Sequence, residues 1–100
     1  MAFAYIKEYL RQPKDGIGVT VPAGQEPAIV TQKVAIGAGS VQSAAFNART
    51  RFVCINVDQA CSYVFGANPT ATANEMRMSA DATQYFGVNP GDKVAFITNT

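Results

Sequence analysis

Short apolar runs, each stopped by glycine, proline or asparagine, succeed one another at a spacing of roughly 8–12 residues. The i, i+3, i+4 recurrence of an amphipathic helix is weak throughout, so the chain reads as a succession of strands. Ala2 to Tyr9 alternates, with Phe3, Tyr5 and Tyr9 on one side, although a helix over Ala4 to Arg11 is a rival reading. Pro13, Gly16 and Gly18 punctuate a loop, and Ile17 to Val21 forms a short strand ended by Pro22. A longer strand pattern follows from Pro27 to Ile36, closed by Gly37 and Gly39. Ser40 to Ala48 reads as another strand, with one helical turn at Ala44-Ala45-Phe46 as its alternative. Met76 to Met78, Tyr85 to Val88 and Lys93 to Thr98 complete the set. Asn89-Pro90-Gly91-Asp92 has the proline and glycine placement of a type II turn. The expected fold is all-β: a small β-sandwich or jelly-roll-like domain of roughly seven to nine short strands.

The segment Arg51 to Gly66, RFVCINVDQACSYVFG, holds two apolar runs around the polar break Asp58-Gln59. Read as a hairpin with a two-residue loop, it pairs Val57 with Ala60, Asn56 with Cys61 and Cys54 with Tyr63. One face then carries Phe52, Cys54, Asn56, Cys61, Tyr63 and Phe65, and the other Val53, Ile55, Val57, Ala60, Ser62 and Val64. A sheet with one wet side alternates apolar with polar, so this hairpin is expected to be covered on both sides.

The whole sequence is 100 residues, the size of one domain, and is read as a single sandwich over residues 1–100 with residues 1–12 as a possible arm to partners. Charged residues are 15% of the chain, against about 25% in an ordinary soluble domain. Little is left to coat a free surface, which implies that a partner covers part of it. A net charge of +1 offers no field for the phosphates of nucleic acid. No apolar stretch approaches the ~20 residues that cross a bilayer, so no membrane association is expected. Lys7 and Glu8 interrupt the N-terminal apolar stretch, which argues against a signal peptide and for folding in a reducing cytoplasm.

Chemistry finds little to work with. Histidine is absent, and with it the usual general base and every Ser-His or Cys-His nucleophile. Cys54 and Cys61 lack the close ligand spacing of a zinc motif. In the hairpin register above they are diagonal neighbours about 7–8 Å apart, beyond the ~4.4–6.8 Å of a disulfide, though another loop length would change that. They read as small apolar side chains. Gly37-Ala38-Gly39-Ser40 lacks the lysine of a phosphate loop, and Pro69 spoils Asn68-Pro69-Thr70 as a glycosylation site. Arg49 and Arg51 make a faint basic patch beside Phe46 and Phe52, and Glu75 with Asp81 is no more than a chance pair of carboxylates. The chain is expected to be no enzyme and to need no cofactor or metal. Tyr5, Tyr9, Tyr63, Tyr85 and Phe86 suit a protein interface. Partner contacts are placed on Phe3, Tyr5, Tyr9 and Leu10 of the N-terminal segment, and on Asn68, Pro69 and Thr70 of the Ala67 to Asn74 loop.

The stretches Gln32–Gly37 (QKVAIG), Ser43–Val53 (SAAFNARTRFV), Phe65–Thr72 (FGANPTAT) and Tyr85–Ile97 (YFGVNPGDKVAFI) carry a likeness that spans about residues 5 to 97. They resemble a group of short proteins encoded among the virion-structure genes of tailed bacteriophages and prophages. The resemblance implies a virion protein, foremost a head decoration (cement) protein that binds the outer surface of the major capsid protein lattice, and a homo-oligomer, foremost a trimer. It would pass through the host cytoplasm during assembly. A tail, head–tail joint or fibre subunit is the alternative, and a carbohydrate-binding module a further one, weakened by the absence of tryptophan.

Overall fold

The computed structural model describes residues 2–14, 16–20 and 23–100. Among them there is no helix. The strands are β1 (Ala2–Tyr9), β2 (Val30–Ile36), β3 (Val41–Gln42), β4 (Phe52–Val57), β5 (Cys61–Gly66), β6 (Arg77–Met78), β7 (Thr83–Gly87) and β8 (Lys93–Thr98). They form two four-stranded antiparallel sheets, ordered β2-β1-β4-β7 and β3-β8-β5-β6. The fold is the small all-β sandwich that the spacing of apolar runs predicts.

The pairing is nested: β5 joins β6, β4 joins β7 and β3 joins β8. The next rung outward would give β2 a ninth strand, and β1 takes that place. This is the winding of a jelly roll with its last strand supplied from the start of the chain. Alternate residues point inward. Ala4 and Ile6 of β1, Val34 and Ile36 of β2, and Val53, Ile55 and Val57 of β4 meet Cys61, Met78, Val94 and Phe96 of the other sheet in one core. Burial of each large apolar side chain stabilises by about 1.5–3 kcal/mol. Phe46, Phe65, Phe86 and Tyr63 extend that core as a chain of rings 5.0–6.3 Å apart.

The predicted β4–β5 hairpin does not form. Both edges of β4 are taken, by β1 and by β7, and β5 lies in the opposite sheet between β8 and β6. The Asp58-Gln59 break carries the chain from one sheet to the other. Asp58 marks the exit, with its Oδ1 accepting from the Phe3 N–H at 2.8 Å and its own N–H donating to the Phe3 carbonyl at 3.2 Å. Cover on both sides holds for Cys61 and Ser62, but β4 has one buried face and one half-exposed face.

Two further expectations are corrected. The described part of residues 1–12 does not form a detached arm, because Ala2–Tyr9 is an inner strand paired on both sides, while Met1 lies outside the described residues. Ser40 to Ala48 is a strand only at Val41–Gln42. Beyond it the backbone is pinned by side chains: the Gln32 amide bonds the N–H and carbonyl of Ala44, and Glu8 Oε1 accepts from the Asn47 N–H and the Thr50 hydroxyl, each at 2.8 Å. Glu8 Oε2 accepts from Gln32 Nε2, so this 1%-exposed carboxylate has three donors. Of the Ile17 to Val21 strand, the described part shows one isolated bridge, Lys14 to Thr20, while Val21 and Pro22 lie outside the described residues. The type II turn is present, with Gly91 at φ 85° and the Asp92 N–H bonded to the Asn89 carbonyl.

Candidate binding face

The strand parity that buries Ala4, Ile6 and Val53 turns the alternate residues outward. The outer face of the β2-β1-β4-β7 sheet therefore carries Phe3, Tyr5, Lys7 and Tyr9 of β1, with Thr31, Lys33 and Ala35 beside them on β2. On the other side come Phe52, Cys54 and Asn56 of β4, then Thr83 and Tyr85 of β7. The six phenylalanines and four tyrosines of the chain divide between this face and the interior. Tyr63, Phe86, Phe46, Phe65 and Phe96 go inward, and the other five lie here. Tyr5 is 43% and Tyr85 49% exposed, large values for aromatics on a regular strand.

The rings are arranged across strands. Tyr9 stacks on Phe52 at 5.3 Å and Phe52 meets Tyr85 at 6.1 Å, so a row of rings crosses β1, β4 and β7. Phe3 and Tyr5 lie 6.4 Å apart, with the Lys33 ammonium 4.1 Å from the Phe3 ring centre, a cation–π contact. Between these groups runs a groove of about 440 Å³ bounded by Tyr5, Lys7, Thr31, Lys33, Cys54 and Asn56. Asn56 is held by its Nδ2 donating to Thr83 Oγ1 at 2.8 Å.

None of the four strands places a carboxylate on this face. Glu26, from the β1–β2 connection, reaches its rim, where it pairs with Lys7 at 3.2 Å and accepts from the Tyr9 hydroxyl at 2.6 Å. The Tyr9 hydroxyl, and after it Lys7, holds the Glu26 carboxyl below the usual glutamate range. Burial, and then Glu26, raises the Tyr9 phenol well above the ordinary tyrosine range. Gly24 lies so close to the Tyr9 ring that a Cβ there would collide with it.

Of the contact residues expected from the sequence, Phe3 and Tyr5 are displayed on this face. Tyr9 belongs to the same row but is 3% exposed, and Leu10 follows half-buried at the end of β1. Asn68, Pro69 and Thr70 form a separate patch on the β5–β6 connection. Gln42 Nε2 ties it down by donating to Asn68 Oδ1 and the Pro69 carbonyl, and Pro69 is buried. Tyr63 and Phe86, expected to suit a surface, pack against the core instead. Phe52, Cys54 and Lys33 escaped the sequence reading as surface groups. The parity opposite Val53, Ile55 and Val57 is the signal that would have placed Phe52 and Cys54 there.

The two cysteines occupy different environments and neither is bridged. Cys54 is half-buried in the groove, whereas Cys61 is fully buried, and burial pushes its thiol up to about 11. Thiolate is the reactive form, so a thiol reagent at about pH 8 should label one cysteine in the native protein and both in denaturant. Intact-mass analysis with peptide mapping checks this, and native labelling of Cys61 would contradict it. Among the described residues no three His, Cys, Asp or Glu side chains gather as a metal site. Comparison of the chain with protein-family models, curated proteins and solved structures finds no match.

Proposed function

We propose that this domain is a non-enzymatic virion structural module that docks through the outer face of the β2-β1-β4-β7 sheet onto another protein. Following the resemblance to phage structural proteins, that protein is the major capsid protein, bound on the outside of the head. The observation that carries the reading is the display of Phe3, Tyr5, Phe52 and Tyr85 on one open sheet face with lysines and no strand carboxylate among them. Interface centres favour aromatics and disfavour charge, and Lys33, on the edge strand β2 and not paired with Glu26 as Lys7 is, selects a partner surface that carries a carboxylate beside its apolar patch. A ligand that binds the assembled lattice and not its loose subunits stabilises assembly by RT ln(1 + [L]/Kd) per independent site. Repetition over the shell multiplies weak contacts into firm attachment.

The test is cosedimentation with assembled heads of the phage that encodes the chain. Wild-type protein pellets with heads, and Tyr5→Ala/Tyr85→Ala, checked for folding by circular dichroism, loses affinity by about 100-fold or more. Lys33→Glu weakens binding further in low salt than in high salt. Unchanged binding by the folded double variant would refute the assignment of the face. Binding confined to tails would refute the capsid partner.

A further inference from the structure

We propose that the β7 edge of the same sheet is a self-association site, at which two copies of this chain pair antiparallel about Tyr85. An exposed sheet edge is a template for another strand, and proteins ordinarily block it with charge, proline or brevity. Three of the four edges here are blocked in this way. β3 and β6 are two residues each, and β2 carries Lys33 at its middle, which would oppose its own copy in a two-fold pairing. β7 is five residues, Thr83–Gly87, with neither a charge nor a proline, and four of the five are exposed.

The hydrogen-bonding direction is fixed by the register. The Val88 N–H donates to the Arg51 carbonyl, and the Val57 N–H donates to the Ala82 carbonyl. With Ile55 opposite Gln84 and Val53 opposite Phe86, the even residues of β7 bond β4. Thr83, Tyr85 and Gly87 therefore turn their N–H and carbonyl groups outward. These three are symmetric about Tyr85, so a second copy meets them with Tyr85 opposite Tyr85 and Thr83 opposite Gly87. About six backbone hydrogen bonds result. The two outer faces become one, and the Tyr9–Phe52–Tyr85 row continues into its symmetry mate. A single short edge buries less than the ~1,200 Å² of stable interfaces, so the dimer is weak in free solution and gains from attachment to a common lattice. This inference does not depend on the identity of the capsid partner.

Sedimentation over a wide concentration range tests it. The weight-average mass should rise from 10.6 kDa to twice that value and no higher. Gly87→Pro removes an outward donor at a position where an added Cβ meets nothing within 4 Å, and should raise the dimer dissociation constant about tenfold or more. Cross-linking gives a second readout, in a Cys54→Ser background because Cys54 lies directly opposite position 85 on β4. There Tyr85→Cys should form a covalent dimer on mild oxidation, since paired Cα atoms about 5.5 Å apart suit a disulfide. Lys33→Cys, on the other edge, should not. A monomer at every concentration, a trimer, a dimer indifferent to Gly87→Pro, or equal cross-linking from Lys33→Cys would each overturn the pairing. Failure of head binding would leave it standing.

Discussion

Glu8→Ala should destabilise the domain by about 3–5 kcal/mol, because it leaves the buried Thr50 hydroxyl and the part-buried Asn47 N–H and Gln32 amide without their charged acceptor. A domain of this length has only about 5–15 kcal/mol in total, so the variant should unfold at a much lower denaturant concentration. Glu8→Gln should recover much of that loss. Its amide oxygen still accepts from Asn47 and Thr50, while its NH2 confronts the Gln32 NH2, at a cost of about 1–2 kcal/mol. Gln32 cannot turn over to relieve the conflict without losing the bond it accepts from the Ala44 N–H. Equilibrium urea denaturation of the three proteins checks the order. A Glu8→Ala loss under about 1 kcal/mol would mean that water replaces the carboxylate and that it does not hold the 43–51 segment.

Phe96→Ala should be equally damaging, at about 3–5 kcal/mol. Phe96 is fully buried at the middle of β8, with Tyr63 of β5 and Val41 of β3 as its cross-strand partners. The strands around it cannot collapse into the space of a lost ring without breaking register. Phe96→Leu, which keeps most of the volume, should lose about 1–2 kcal/mol. Thermal unfolding measured beside Tyr85→Ala makes the contrast: one aromatic supports the interior, and the other is displayed on the surface. A comparable loss from both would contradict the division of rings between core and face.

The sequence revealed the strands better than their partners. The apolar, β-branched run from Phe52 to Val57 makes β4 visible in the sequence, and Lys93–Thr98 is found with its bounds and its preceding turn. Pairing is a different kind of information. Asp58-Gln59 has the local look of a hairpin, and nothing nearby reveals that β1 and β7 take both edges of β4 from residues far away in sequence. The reading of Ser40 to Ala48 as a strand failed for a related reason. The backbone groups of Ala44 and Asn47 are satisfied by Gln32 and Glu8, and side-chain capture of a distant backbone leaves no local periodicity. Glu8 itself is silent in sequence, since a glutamate between Lys7 and Tyr9 on a strand gives no sign that it is buried.

The binding face was half legible for a physical reason. Phe3 and Tyr5 stand out as aromatics beside the charged Lys7, but Phe52 and Cys54 look like core residues in an apolar run. Only the burial of their neighbours Val53 and Ile55 decides that they point the other way. The two residues that complete the face, Lys33 and Tyr85, come from β2 and β7, which the chain brings to opposite sides of β1 and β4.

The borrowed position of β1 also governs how the molecule must be made. Each sheet takes one inner strand from an outer member of the strand series: β1 precedes the other seven strands and β8 follows them. Val41 has no strand partner until Phe96 exists, and Ala4, which can pair early with Val34, must wait for Val57 on its other side. Such high contact order belongs to folding in milliseconds to seconds rather than microseconds. A nascent chain that has not yet reached residues 93–98 would hold β3 and β5 apart with nothing between them, so closure of the sandwich waits for β8.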